Sequence, residues 1–284
     1  MIRAFANPKD LTDAIRLLTA EPRWRPVAGC TDISVKLRFD RLDADGFVNL
    51  WGLLPRHIEE RQDEIRIGAG ATCAQLAKSA LVRAQLPALF EAAATLGSPQ
   101  IRSRATVGGN VANASPAADL VPALMSDDAR VVVQSANGVT TVALHRLFVG
   151  PQKTILGPGD LITEIVVPKP APLSYARFDK LGFRQAQIIA AVNFAIRATG
   201  AAGTLDAVRI AWGSVAPTPV RSPAVEDALA GTRLTEADIA AAIDAVAADV
   251  RPIDDHRASA AYRLAVARSF LRRALKECQR WLST

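Results

Sequence analysis

A chain of 284 residues, half of them apolar, is long enough to bury two cores, and no apolar run reaches the ~18 residues that a membrane span requires. The formal charge of +6 comes from scattered Lys and Arg, and with aromatics at 5% nothing marks a nucleic-acid surface; the excess fits a solvated face or an acidic partner or cofactor. Three separated cysteines, Cys30, Cys73 and Cys278, match neither a disulfide framework nor a zinc or iron–sulfur spacing, so any metal is expected on another chain. The opening residues lack the apolar stretch of a secretory signal, which points to the cytoplasm.

After a first strand over Met1–Phe5, Leu11, Ala14, Ile15 and Leu18 recur at helical spacing behind Asp10, a good N-cap, with Pro22 past the end. Arg25-Pro26-Val27 leads through a small-residue turn, 28–32, into a helix over Ile33–Arg38. Phe47–Leu50 and Glu64–Gly68 read as strands around a polar loop. Thr72-Cys73-Ala74-Gln75 has the capping-box pattern and opens a helix to about Leu81. Gly68-Ala69-Gly70 begins like a dinucleotide fingerprint, but Cys73 holds the third glycine position and would crowd the helix–strand contact, so a tight turn is the better reading. Leu89, Ala92, Ala93 and Leu96 mark another helix, ended by Gly97-Ser98-Pro99.

A short apolar run through Val107 ends at Gly108-Gly109, where positive φ and bare backbone N–H groups are expected, suited to a phosphate. Asn110 and Asn113 add amide donors and acceptors, and Ser115-Pro116 reads as the N-cap and first residue of a helix. Asp119 lies one place beyond the capping-box position and is left free for another partner, such as a polyol. Ala129–Gln134 and Val139–Leu144 flank Asn137-Gly138, a hairpin signal. Leu161–Val167 is a strand stopped by Pro168-Lys169-Pro170-Ala171-Pro172, which reads as a linker and domain boundary. Beyond it, strands at Ile189–Arg197 and Ala207–Gly213 are joined through Gly200-Ala201-Ala202-Gly203. Three helices follow at about 223–230, 236–248 and 257–280, the last with Tyr262, Val266, Phe270, Leu271 and Leu275 on one face.

Two strand–turn–helix units, 28–32 and 106–119, thus present small residues followed by short polar ones. Backbone N–H groups suit an anion, while Thr31, Asp32, Asn110, Asn113 and Asp119 can pair with hydroxyls and ring heteroatoms. Together they can line a long, phosphate-bearing cofactor, or they are ordinary turns in which Thr and Asn cap helices. Hydrolytic chemistry finds no support: His57, His145 and His256 stand in unrelated contexts, no nucleophile elbow is present, and the pairs Asp127-Asp128 and Asp254-Asp255 point their side chains apart. No catalytic or metal-ligating residue is nominated.

These stretches, together with Lys180-Leu181-Gly182-Phe183-Arg184, the run from Trp212 to Arg221 and the run from Pro252 to Ser259, resemble the FAD-binding medium subunit of the molybdenum hydroxylases, which include the xanthine dehydrogenase and carbon monoxide dehydrogenase type enzymes. The resemblance covers nearly the whole chain. It implies an α+β fold: a PCMH-type FAD-binding domain over 1–170, in lobes of about 1–55 and 56–170, then an α+β flavoprotein C-terminal domain over 174–284.

It also implies non-covalent FAD, with Val27, Ala28, Gly29, Cys30, Thr31 and Asp32 along the pyrophosphate and Ala105, Thr106, Gly108, Gly109, Asn110, Asn113 and Asp119 as a second segment. Ile162 and Lys180 would approach from a later strand and loop, and Cys30 stands where the family usually has a second glycine. The implied function is electron transfer from [2Fe–2S] clusters of a small partner subunit to NAD, oxygen or a quinone. Molybdopterin would lie on a large partner subunit, in a heterotrimer or a dimer of heterotrimers. Lys180 or Arg184 would place positive charge near N1 of reduced flavin. Two other readings stay open: a stand-alone PCMH-type flavin oxidoreductase, and a non-catalytic nucleotide-binding assembly module.

Overall fold

The computed structural model describes residues 4–182 and 189–283. Its N-terminal stretch alternates strand and helix: β1 (Ala4–Ala6), α1 (Leu11–Ala20), β2 (Trp24–Val27), α2 (Ile33–Arg38) and β3 (Gly46–Asn49). The strands pair in parallel, in the order β1-β3-β2, as connections through helices require. Asp10 caps α1, accepting from the Asp13 N–H at 2.8 Å, and Ala14, Ile15 and Leu18 are the residues this helix buries.

Next come β4 (Ile58–Glu60) and β5 (Glu64–Gly68), then the short helices α3 (Cys73–Leu76), α4 (Ala80–Gln85), α5 (Pro87–Thr95), α6 (Pro99–Arg104), α7 (Val107–Ala112) and α8 (Leu120–Ser126). They are followed by β6 (Arg130–Ser135), β7 (Gly138–Ala143), β8 (Phe148–Gly150), β9 (Lys153–Thr154) and β10 (Leu161–Pro168). An antiparallel sheet runs β4-β5-β10-β6-β7, with β8-β9 a separate hairpin. The turn into β7 is at the expected Asn137-Gly138, where Gly138 has φ +114. Ile65, Ile67, Val131 and Ile165 of the sheet share a core with Leu76, Leu89, Val107 and Leu124 of the helices. The same cluster takes in Ile15, Leu18 and Val48, so the parallel and antiparallel sheets are joined by one apolar interior.

Four local expectations change. The helix expected from Thr72 to about Leu81 is two helices: the capping box at Thr72 and Gln75 opens α3, but Ser79 starts α4 by accepting from the Val82 N–H. Ser98-Pro99, expected as a stop, also opens α6, with Ser98 accepting from the Ile101 N–H. Gly108 and Gly109 lie inside α7, behind a Thr106 cap, and the left-handed residue of this stretch is Ala114 at φ +48. Finally, α8 starts at Leu120; Ser115 instead closes a turn, accepting from the Ala117 N–H at 3.2 Å.

The second half is a sheet of β11 (Tyr175–Leu181), β12 (Val192–Ala201), β13 (Thr204–Gly213) and β14 (Val220–Arg221), antiparallel in that order. It is followed by α9 (Pro223–Leu229), α10 (Glu236–Asp249) and α11 (Ala260–Leu282). Neither β4 nor β11 was legible, since Tyr175–Leu181 mixes charge and apolar residues without alternation. Strands β12 and β13 are covered on both faces. Phe194, Ile196, Ile210 and Trp212 pack with α9, α10 and α11, while Ala195 and Ala211 join the first core against α8. Ion pairs reinforce that junction: buried Asp127 meets Arg197 at 2.6 Å, and Asp128 meets Arg209 and Arg221.

Helix α11 buries Arg263, Ala267, Leu271, Ala274, Leu275 and Cys278, whereas Tyr262, expected on that face, is 46% exposed. Arg263 donates to the carbonyls of Ala191 and Ser214 at 2.6 and 2.9 Å and to Asp255 at 2.6 Å. An arginine buried on these three acceptors turns the buried face by one position, about 100°. Among the described residues no helix is long and apolar enough to cross a membrane.

Candidate functional site

Strand β2 runs straight into the loop 28–32. A Cβ placed on Gly29 would lie 2.0 Å from the Arg104 carbonyl oxygen and 3.2 Å from Ala105 Cα, so only glycine lets this loop rest on the end of α6. Cys30 then takes φ +61, a left-handed conformation that accounts for the glycine expected there. Among the described residues the backbone N–H groups of Gly29, Cys30, Thr31 and Asp32 donate to no acceptor in the chain. Asp32 pairs with Lys36 at 2.7 Å, and Lys36 Nζ donates to Asn113 Oδ1 at 2.8 Å, tying the loop to the far end of α7. Val27 is buried between Phe47 and Ala44 and serves to seat the loop.

The second segment is engaged differently from what its sequence suggests. Ala105 accepts from the Cys73 N–H at 2.9 Å, and Thr106 forms a bridge to Thr72. The N–H groups of Val107 and Gly108 donate to the carbonyls of Ala71 and Ala69, both at 2.9 Å, and that of Gly109 to Thr106 Oγ1 at 3.1 Å. These donors are therefore not open to a phosphate; the helix caps its own terminus and docks it on residues 69–72. Gly108 is needed for that docking, because its Cβ would stand 2.6 Å from Ala69 Cβ. What faces outward is exposed Gly109, together with Asn110, whose Oδ1 is buried without a partner.

Asp119 is not free for a polyol either. Its Oδ2 accepts from Lys180 Nζ at 2.5 Å and its Oδ1 from Asn193 Nδ2 at 3.0 Å, so a buried carboxylate at the head of α8 is held by β11 and β12. Burial pushes its carboxyl up, against the pull of Lys180. Lys180 lies on a strand, not a loop, and its charge is matched; Arg184 lies outside the described residues. Asn193 escaped notice in the sequence, although a lone amide inside an apolar strand is itself a signal. Ile162 is buried on β10 beside a bulge, where the Thr163 carbonyl accepts the Ala69 N–H at 2.8 Å.

Between the two segments lies a shallow recess, lined by Ala28, Trp51, Arg56, Gly70 and Thr106 among others. The turn at Gly68-Ala69-Gly70 packs on Leu54 and Pro55: a Cβ on Gly70 would lie 2.7 Å from the Leu54 carbonyl oxygen, and one on Gly68 2.3 Å from that of Pro55. Cys73 and Cys278 are buried, and desolvation pushes both thiols up to about 12. Among the described residues no three His, Cys, Asp or Glu side chains gather as metal ligands. The open N–H groups at 29–32 are chemically suited to an anion.

Residues 2–170 match the family described as the FAD binding domain in molybdopterin dehydrogenase, and residues 177–278 match the CO dehydrogenase flavoprotein C-terminal domain. The chain is 30% identical over 279 residues to the xanthine dehydrogenase FAD-binding subunit of Escherichia coli O157:H7, covering 96% of this chain and 95% of the other. It is 33% identical over 220 residues to the carbon monoxide dehydrogenase medium chain of Hydrogenophaga pseudoflava, covering 78% and 76%. Among solved structures it superimposes on a chain of the Cu,Mo-CO dehydrogenase in its cyanide-inactivated form with a TM-score of 0.93, at 29% identity and 99% coverage of both.

Proposed function

Because this chain belongs to the FAD-binding medium subunits of the molybdenum hydroxylases, the family of the xanthine and carbon monoxide dehydrogenases, we propose that it holds FAD non-covalently and relays electrons within such a complex. It is an oxidoreductase flavoprotein subunit. In this reading electrons arrive from [2Fe–2S] clusters of a small partner subunit and leave to NAD, oxygen or a quinone. Molybdopterin belongs to a large partner subunit, the assembly is a heterotrimer or a dimer of heterotrimers, and it works in the cytoplasm. The FAD domain takes residues 1–170 and the flavoprotein C-terminal domain 174–284.

The observation that carries the reading is the seat of Gly29 on Arg104 and Ala105, which gathers two distant segments around one recess. The residues fit a flavin dinucleotide: four unpaired N–H groups at 29–32, the orphaned Asn110 Oδ1 and exposed Gly109 are what a phosphate and a polar chain require. Within the site we assign Gly29, Cys30, Thr31 and Asp32 to the pyrophosphate, with Val27 and Ala28 leading in. Asn110 and Asn113 serve as polar contacts, and Ala105, Thr106, Gly108, Gly109 and Ile162 shape the wall. Asp119 and Lys180 act as a pair rather than as separate ligands. FAD, once bound, supplies the redox chemistry that these side chains lack.

Purified chain tests this directly. A yellow protein that holds FAD and turns over only when mixed with cluster and molybdenum subunits supports the reading. Turnover by the chain alone would instead make it a self-contained flavin oxidoreductase, and a bound flavin that resists reduction would make it an assembly module.

A further inference from the structure

Trp51, Arg56 and Arg104 form a stack at the edge of the recess, and the side chains of both arginines are left without a role by the site described above. Trp51 follows the end of β3, Arg56 precedes β4 and Arg104 closes α6; the two guanidinium carbons lie 4.0 and 3.8 Å from the Trp51 ring centroid. At such separations two planar cations cannot share one face, so the indole lies between them. Stacking fixes each plane while leaving the N–H edges open to an acceptor. Among the described residues neither guanidinium donates a hydrogen bond or meets a carboxylate, whereas Arg66, Arg177, Arg197 and Arg221 all do. Two like charges fixed on either side of one ring repel until an anion joins them.

The stack borders the loop that offers free N–H groups. Trp51 and Arg56 line the same recess as Ala28 and Thr106, and the backbone of Arg104 is the surface on which Gly29 rests. On the other side the backbone N–H groups at the head of α7, those of Val107, Gly108 and Gly109, are engaged within the chain. A doubly charged group held at 29–32 therefore needs cationic donors, and Arg56 and Arg104, both without a hydrogen-bond or carboxylate partner among the described residues, border that loop and its recess.

We propose that Arg56 and Arg104, held in place by Trp51, clamp the pyrophosphate of the bound dinucleotide. The inference rests on the FAD reading and adds to it the source of positive charge. It is tested by titrating FAD, and separately riboflavin, into deflavinated full-length chain at low and high salt, for wild type, Arg56→Met and Arg104→Met. Each variant is expected to bind FAD roughly tenfold more weakly, the loss of one charge-assisted hydrogen-bonding group. The salt dependence of FAD binding becomes shallower, and riboflavin, which has no phosphate, binds as before.

Unchanged FAD affinity and salt dependence in both variants would overturn the clamp while leaving FAD binding in place. Equal losses for FAD and riboflavin would overturn it too, by showing a general distortion. A wild-type chain with no affinity for FAD would remove the reading beneath it. Should Arg104→Met fail to fold, Arg104→Lys carries the test: weaker FAD binding with the salt dependence retained is the expected result, and wild-type affinity overturns the role of the fork.

Discussion

Gly29 and the carbonyl of Arg104 are in direct backbone contact, and a methyl group at residue 29 would stand 2.0 Å from that oxygen. No rotamer change relieves such a clash, so Gly29→Ala has to move the loop off its seat. Flavin titration is expected to show FAD affinity falling by roughly tenfold or more, and urea unfolding a loss of about 1–3 kcal/mol, the cost of overpacking a tight contact. Wild-type binding by this variant would mean the contact does not shape the site.

The two glycines of α7 separate stability from binding. Gly108→Ala drives a Cβ to 2.6 Å from Ala69 Cβ in the interior, and this outweighs the ~1 kcal/mol that alanine gains over glycine in a helix. Gly109 is exposed and its Cβ would approach only the Thr106 hydroxyl, at 2.8 Å. Thermal unfolding should therefore drop clearly for Gly108→Ala and little for Gly109→Ala, while FAD affinity falls in both.

Thiol reactivity provides a footprint of the loop. Cys73 and Cys278 are buried with thiols pushed up to about 12, whereas Cys30 is half-buried in the loop 28–32. In the native apo chain at pH 8, alkylation followed by mass spectrometry should label Cys30 alone, and saturating FAD should slow that labelling. Labelling of Cys30 at the same rate with and without FAD would place the cofactor elsewhere.

Asp255 makes stability pH-dependent near the acid end. Desolvation pushes its carboxyl up, but hydrogen bonds from the Arg257 and Ala258 N–H groups and from Arg263 win, holding it below the ordinary 3.8. A carboxyl lowered by folding contributes stability that is complete above the unfolded value and is lost as pH falls through the folded one. Asp255→Asn should thus melt below wild type at pH 7, with the gap closing as pH drops below 3.8; melting curves across that range decide it.

Lys180 and Asp119 together present no net charge to their surroundings. Reduced flavin gains negative charge, so removing either partner should move its midpoint potential, in opposite senses. Lys180→Met is expected to lower the potential and Asp119→Asn to raise it, measured by dye-coupled titration of the flavin-loaded chain. Shifts of the same sign would show that the pair acts through packing alone.

Much of this molecule was written locally. The Asp10 cap and the 11-14-15-18 spacing of α1, the Asn137-Gly138 hairpin and the helices α9, α10 and α11 follow from interactions within a few residues, which propensity and periodicity record. The run Thr106-Val107-Gly108-Gly109-Asn110 stood out as a candidate site but was not legible as a helix, because glycine favours a turn wherever no partner strand or loop opposes it. Here residues 69–72 supply that partner, taking up the N–H groups that a turn would have left bare.

The tertiary structure decided what each polar group meets. Asp119 finds Lys180 and Asn193, Arg263 finds two carbonyls and Asp255, and Arg56 and Arg104 find opposite faces of Trp51. A capping hydrogen bond is set by bonds only a few atoms long, so its residues announce it. A contact across the chain depends on how sheets and helices stack, and burial then multiplies its strength. The sequence by itself determined that glycine and short polar residues would recur at two corners; only packing, through Gly29 on the Arg104 carbonyl, brought those corners together.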